Sequence, residues 1–214
     1  MLRRHLRPRT LEIGLDEAGR GCLAGPVTAA AVILRPGKRS PRDLDDSKRV
    51  TAERRAELRA WVETNSLAWA VGWCSPTEID EQNILQASVS AMHKAVAQLS
   101  LKLEATFADA AALGALPAGF AGRPKLLLVD GHYFRPYDGI AHSCQVKGDG
   151  KFQSIAAASI LAKTHRDALM LELHGRHPHY GWDSNKGYPT PPHQRGLREH
   201  GPSIWHRRSF RLTY

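Results

Sequence analysis

The stretch Leu11-Glu-Ile-Gly-Leu-Asp16-Glu17-Ala-Gly19-Arg20-Gly21 decides the fold. Leu11, Ile13 and Leu15 alternate with Glu12, Gly14 and Asp16, so the period-two geometry of a strand sets Asp16 on the face opposite the apolar set. Glu17 then points away from Asp16, and the two carboxylates converge only if the strand stops there. Ala18-Gly19-Arg20-Gly21 supplies glycines that let the backbone bend and come close to a ligand. An Asp-Glu pair of this kind, taken alone, reads as the solvated tip of a hairpin. The rest of the chain has to decide.

Working outward, Pro26 to Leu34 is rich in Val, Ile and Ala and closes at Pro36-Gly37, which predicts a second strand paired with the first as a hairpin. A polar loop, Asp43 to Lys48, precedes a charged helix over Ala52 to Glu63 that Thr51 can cap. Trp69, Val71 and Trp73 alternate along a third strand, Ala68 to Cys74. From Ser75 a helical region runs to about Leu99, with Ile84, Leu85, Val89, Met92 and Val96 at helical spacing. The stretch from 105 to 124 turns rich in Ala and Gly and reads as an insertion without chemistry. Lys125-Leu-Leu-Leu-Val-Asp130-Gly131 is a continuous apolar run, the pattern of a strand buried on both faces, and it too ends on a carboxylate. Ile140 to Lys147 is a further, weaker strand leading into Gly148-Asp149-Gly150, where Asp149 has the alternative of capping the following helix. That helix, Ile155 to Thr164, is slim with Ala and Ser and carries Lys163 and Arg166 on one face. A glycine-punctuated aromatic loop with Tyr180, Trp182 and Tyr188 follows, then a short helix near Gln194 to Glu199.

With 214 residues the chain is long enough to bury a sizeable core, and its formal charge of +9 favours an anionic partner, nucleic acid or a membrane surface. Cys22, Cys74 and Cys144 are odd in number and widely spaced, which points to free thiols in a reducing compartment and a cytoplasmic location. The arginine-rich first ten residues lead into no long apolar run and read as a flexible basic tail, not a signal or membrane span. His174, His177 and His179 cluster but lack a partner in any zinc pattern, so zinc is not expected there. No phosphate-binding loop of the Gly-x-x-x-x-Gly-Lys type, dinucleotide fingerprint or nucleophile elbow is present.

Asp16, Glu17, Asp130 and Asp149 all lie at strand ends or just beyond them in a basic chain. If they converge, their repulsion is large unless cations occupy the gap. Hard carboxylate oxygens select magnesium or manganese over zinc. Two such ions can activate a water and stabilise the attacking and leaving oxygens of a phosphodiester displacement, while surrounding Lys and Arg hold the nucleic-acid backbone.

The residues now resemble a known family, the type 2 ribonucleases H (ribonuclease HII), in ordered matches from Leu11 to Phe210. They comprise Gly14 to Gly21 with Ala24-Gly25-Pro26-Val27, Asp46-Ser47-Lys48, Ile79-Asp80 with Asn83-Ile84-Leu85, Asp130-Gly131 and Lys147-Gly148-Asp149. They continue with Ile155 to Lys163 and Arg166-Asp167, Lys186-Gly-Tyr188-Pro-Thr with His193, and His206-Arg-Arg-Ser-Phe210. The resemblance implies an α/β, ribonuclease H-like mixed sheet flanked by helices, with a C-terminal helical portion. It divides the chain into a tail (1–10), a catalytic domain (11–168) and a C-terminal portion (169–214) carrying Tyr188. It implies that Asp16, Glu17, Asp130 and Asp149 are catalytic ligands of two divalent cations, Mn2+ or Mg2+. Gly19, Arg20 and Gly21 would sense the ribonucleotide 2′-hydroxyl, Tyr188 would pack on the sugar that follows, and Lys48, Lys163 and Arg166 would contact phosphates. The physics agrees, since telling RNA from DNA requires contact with the 2′-hydroxyl and glycine lets main-chain groups approach a sugar.

Two positions depart from the family pattern, His132 after Asp130-Gly131 and Cys22 after the Gly-Arg-Gly turn. The activity implied is hydrolysis of the RNA strand of RNA-DNA hybrids and cleavage 5′ to ribonucleotides embedded in duplex DNA. Products would be 3′-hydroxyl and 5′-phosphate ends, and the setting ribonucleotide removal in DNA replication and repair. A monomer with no membrane partner is expected. Two alternatives stay open: a basic module that binds hybrids without cutting them, and a related nuclease that cuts branched DNA and needs no 2′-hydroxyl sensor.

Overall fold

The structure, a computed structural model, describes residues 2–112 and 125–212. Its centre is β1 (Leu11–Ala18), flanked by β2 (Val27–Leu34) on one side and β4 (Lys125–Asp130) on the other, with β3 (Ser66–Cys74) and β5 (Ala141–Gln145) at the edges. β1, β2 and β3 form an antiparallel meander, whereas β4 and β5 run parallel to β1 and to each other, so the sheet is mixed as expected. Parallel pairing brings the C-terminal ends of β1 and β4 to the same edge of the sheet. Gly14 pairs with Leu128 and Leu15 with Val129, so the next step of the register faces Asp16 with Asp130.

Helices cover both faces. On one, Ile13, Leu15, Leu127 and Val129 pack with Val89, Met92, Val96 and Leu99 of α3 (Ile84–Ala112). On the other, the alanine-rich α4 (Gln153–Arg176) lies close against β1 and β2, where Ala30 and Val32 meet Ala157, Ala158 and Leu161. Gly14 permits that approach, because a Cβ there would overlap the Ser154 carbonyl. The polar face of β1 is thus buried as well. α1 (Ala52–Asn65) packs outside α4 and is capped by Thr51, as the sequence predicts.

The helical region after β3 is two helices, not one. Ser75 and Glu78 close a capping box at the start of α2 (Pro76–Gln82). Asn83 then takes φ +68°, which ends α2, and its Oδ1 accepts from the N–H groups of Leu85 and Gln86 to begin α3. α3 continues to Ala112, so the insertion read over 105–124 is helical backbone in its first part; its remainder lies outside the described residues.

The basic segment 2–10 is not a free tail. Arg3 bridges to Phe152 through main-chain bonds to Lys151 and Gln153, and the buried Glu12 carboxylate accepts from the N–H groups of Leu6 and Arg7 at 2.8 and 2.6 Å. A buried carboxylate needs donors, and the segment supplies them. Beyond α4, the α5 turn (Trp182–Asn185) and α6 (Pro191–His200) enclose a second small core of Leu23, Met170, Leu173, Tyr180, Trp182 and Leu197. Among the described residues, no helix is long and apolar enough to cross a membrane.

Candidate active site

The parallel β1–β4 edge gathers the acids. Oxygens of Asp16, Asp130 and Asp149 lie within 4.8 Å of one another, the sole such group of metal-capable side chains among the described residues. Asp16 leaves β1 on the α4 side. Asp149 sits in the short 3-10 turn Gly148–Gly150 just after β5, and Phe152, not Asp149, occupies the cap position of α4. Each carboxylate has one oxygen held by a main-chain N–H: Glu17 to Asp16 at 2.7 Å, Gly148 to Asp130 at 2.7 Å, Gly150 to Asp149 at 2.9 Å. Such outer bonds orient the remaining oxygens toward a shared ion.

Glu17 stands apart from this trio. The strand does not stop at Asp16 but runs on to Ala18, with Glu17 paired to Ala29, so alternation carries its side chain to the other face. There it meets Arg20 at 3.3 Å. It remains within electrostatic reach of Asp130.

Burial, reinforced by Glu17 and Asp130, pushes the Asp16 carboxyl well above the usual carboxylate range. Glu17 is raised by burial and by Asp130 against the pull of Arg20, and Asp149 by burial, Asp130 and Asp46. Burial and mutual repulsion thus both favour a compensating positive charge among these acids. The donor set fits a hard divalent cation: all oxygen, pre-oriented and converging from separate elements.

Two buried arginines build the loop beside the acids. Arg207, fully buried, donates to the carbonyls of Gly19, Arg20, Gly25 and Pro26 at 2.6, 2.8, 3.0 and 3.2 Å. Burial lowers its guanidinium to about 10. Arg166 donates to Ala24, Pro26 and Lys186 at 3.0, 2.9 and 2.9 Å and is 1% exposed. The donors of Arg166 meet carbonyls, and it fastens the segment after the Gly-Arg-Gly turn to the Tyr188 loop. Gly19 has φ +93° and its missing Cβ makes room for the Arg166 side chain. Gly21 is exposed, and a Cβ there would sit 3.9 Å from the Tyr188 ring.

Lys48 faces this ground. Partial burial works against its charge, but Asp46, Asp16 and Asp149 outweigh that and hold its ammonium above the usual lysine range. Lys163 pairs with Asp167 at 2.8 Å and lies 6.0 Å from the Tyr188 ring. Cys22 is fully buried and shares a hydrogen bond with the Tyr188 hydroxyl; burial pushes its thiol up, so it packs as a small hydrophobe. His132 is exposed.

Sequence reasoning missed Ser159, which hydrogen-bonds Asp16 from α4 and Ser47 at 3.0 Å, and the organising role of Arg207. Nothing in the spacing of Ser159 marks it, since five positions along a helix carry it well away from the face of Ser154.

The family model described as Ribonuclease HII matches residues 13–214. A Phocaeicola vulgatus protein named Ribonuclease HII is 50% identical over 99% of this chain and 94% of its own length. The Parabacteroides distasonis protein of the same name is 48% identical over 99% of this chain and 96% of its own length. Among solved structures, the ribonuclease HII in the PCNA complex from Archaeoglobus fulgidus aligns with TM-score 0.68 at 23% identity, covering 95% of this chain and 96% of that one. Bst-RNase HIII in complex with Mn2+ aligns with TM-score 0.62 at 20% identity, covering 95% of this chain and 68% of that one. Coverage from Ile13 onward, on a sheet that sets three acids at one edge, leads to a single assignment: the chain belongs to the ribonuclease HII family, nucleases that cleave the RNA of RNA-DNA hybrids.

Proposed function

We propose that the protein cuts the RNA strand of hybrids, and duplex DNA 5′ to a single embedded ribonucleotide, by a two-metal hydrolysis that leaves 3′-hydroxyl and 5′-phosphate ends. The observation that carries this reading is the convergence of Asp16, Asp130 and Asp149 within 4.8 Å. Asp16, Asp130 and Asp149, with Glu17 beside them, would hold Mn2+ or Mg2+. When bound, two such cations lower the pKa of a water and neutralise charge on the scissile phosphate.

The chain's own groups supply the rest. Lys48 is drawn by the acids to the edge of the site, where its ammonium can hold a non-bridging phosphate oxygen. Lys163 stands ready for the adjoining phosphate. Exposed Gly21 borders the half-exposed Tyr188 ring, and a Cβ there would come into ordinary contact with it. Arg20 is exposed beside it and tethered to Glu17, which links the sensor loop to a ligand. In this reading Gly19-Arg20-Gly21 presents main-chain groups to the 2′-hydroxyl, and Tyr188 packs on the next sugar, which suits ribonucleotide removal during replication and repair.

The test is a labelled DNA duplex with one ribonucleotide, beside all-DNA and RNA-DNA hybrid duplexes, with Mn2+, Mg2+ or chelator. Cleavage only at ribonucleotides, dependent on metal, lost in Asp16→Asn, and yielding ends that a ligase accepts only when the 5′ fragment retains a 3′-hydroxyl, is the expected result. Equal cutting of the all-DNA duplex would remove the ribose-sensing role. Tight binding of hybrids without cleavage under either metal would replace the nuclease with a binding module.

A further inference from the structure

Behind Tyr188 lies a pair of histidines that the chemistry above does not use. His193 and His206 are 0% and 2% exposed, and their rings sit 5.2 Å apart between Tyr180 and Trp182. Their hydrogen-bond partners favour one assignment of protons. The Trp182 indole N–H can only donate, and it meets His193 Nε2 at 3.1 Å. The Tyr188 carbonyl can only accept, and it meets His193 Nδ1 at 2.9 Å. His193 is therefore neutral, with its proton on Nδ1. The Ser203 N–H donates to His206 Nδ1 at 3.0 Å, so His206 carries its proton on Nε2 and gives it to His193 Nε2 at 3.0 Å. The result is a directed chain, Ser203 to His206 to His193 to the Tyr188 carbonyl.

Both rings are held neutral. Burial, then the neighbouring His193, lowers His206 to about 3, and burial likewise lowers His193. A second proton on His193 would face two N–H groups that have nowhere else to point. Tyr188 is 39% exposed, with Cys22, Gly21 and Lys163 beside its side chain, so the placement of its ring depends in large part on how its main chain is held. That main chain is fixed by Asn185, Thr190 and His193.

We propose that His193, aligned by His206, is a positioning residue for Tyr188, and that through Tyr188 it sets the preference for a ribonucleotide followed by DNA over continuous RNA. The proposal rests on the reading of Tyr188 as the ring that packs on the sugar. It extends that reading to two buried side chains that never touch substrate.

Two replacements of His193 separate positioning from mere packing. In His193→Asn the amide nitrogen stands where Nδ1 was and still donates to the Tyr188 carbonyl. His193→Gln keeps an acceptor toward Trp182 and His206 but loses the donor to Tyr188. The assay measures kcat and KM on a duplex with one ribonucleotide and on a continuous RNA-DNA hybrid, with melting temperatures recorded for each variant. His193→Gln is expected to lose about tenfold in kcat/KM on the single-ribonucleotide duplex and no more than about twofold on the hybrid, while His193→Asn retains most of the activity. Combined with Tyr188→Ala, His193→Gln should add nothing to the loss that Tyr188→Ala causes alone, because both act through one ring.

If Tyr188→Ala changes the substrate preference and His193→Gln does not, or if their losses add, the positioning role is overturned while the reading of Tyr188 stands. A Tyr188→Ala variant with unchanged preference overturns that reading and the positioning role with it. Should His193→Gln fail to fold, nitrogen NMR of the unmodified protein decides instead. A ring proton on His193 Nδ1 is expected, and one on Nε2 overturns the proposal.

Discussion

Replacing Asp16 by asparagine should make the metal-free protein more stable while it abolishes cleavage. Asparagine keeps an oxygen for the Glu17 N–H, so the substitution removes charge and little else. The oxygens of Asp16, Asp130 and Asp149 stand within 4.8 Å of each other. At an effective dielectric constant of about 20, each ionised pair at that separation costs at least about 3.5 kcal/mol, and Asp16 takes part in two. Proton uptake relieves part of this, since the Asp16 carboxyl is already raised by burial and its neighbours. A gain of about 1–3 kcal/mol remains, which for a chain of this size raises Tm by roughly 2–10 °C in chelator. Added Mn2+ or Mg2+ should stabilise the unmodified protein through selective binding to the folded state and stabilise Asp16→Asn much less. Calorimetry with and without metal reads both quantities. An Asp16→Asn variant no more stable than its parent in chelator, with the same response to metal, would refute the convergence of the three acids.

The two glycines of the sensor loop should part company. Gly21→Ala keeps its stability within about 0.5 kcal/mol, because its Cβ makes only ordinary contact, yet lowers cleavage at an embedded ribonucleotide; Gly19→Ala, at φ +93° and against Arg166, lowers stability by about 2 kcal/mol or more in urea denaturation. Arg207→Met strands four carbonyls and should cost about 3–5 kcal/mol, with Arg207→Lys recovering little because an ammonium cannot span the same fork; a loss below about 1 kcal/mol would show that the loop holds itself. For His206 the sign follows from a folded value of about 3 against an ordinary 6.5: the unfolded chain takes the proton first, so this contribution is full above pH 6.5 and is lost as pH falls toward 3. By pH 5 the loss from this group reaches about 2 kcal/mol. NMR titration should show the ring neutral at pH 5, and a midpoint near 6.5 would contradict the buried pair.

The sheet was readable in the sequence because its strands carry their signals locally. Leu11, Ile13 and Leu15 alternate, and Leu126 to Val129 run without a break, as a central strand does. Asp16 and Asp130, near or at the C-terminal ends of those strands, were legible for the same reason. Glu17 was harder, since nothing local says that the strand continues to Ala18 and pairs Glu17 with Ala29. The arginines were harder still. Arg166 reads as a phosphate contact and Arg207 only as one residue of a matching run, because their burial is decided by carbonyls from Gly19 to Pro26 that are remote in sequence. The same holds for the opening segment, whose arginines look free until the Glu12 carboxylate is seen to need its main-chain donors. The break at Asn83 went unread because a single residue at positive φ, flanked by good helix formers, leaves the hydrophobic spacing of the second helix intact.

The bonds from Arg207 to Gly19 and Arg20 span 188 and 187 positions of the chain, which ties the sensor loop to the order of biosynthesis. During translation β1 and its hairpin partner emerge early, yet the loop between them lacks its buried donors until residue 207 has left the ribosome. A nascent chain therefore carries Asp16 long before it can shape the Gly19-Arg20-Gly21 turn proposed to recognise ribose. Contacts of such separation also close late and slowly in folding. On the proposed reading, ribose discrimination is thus acquired long after the strands that carry the acids.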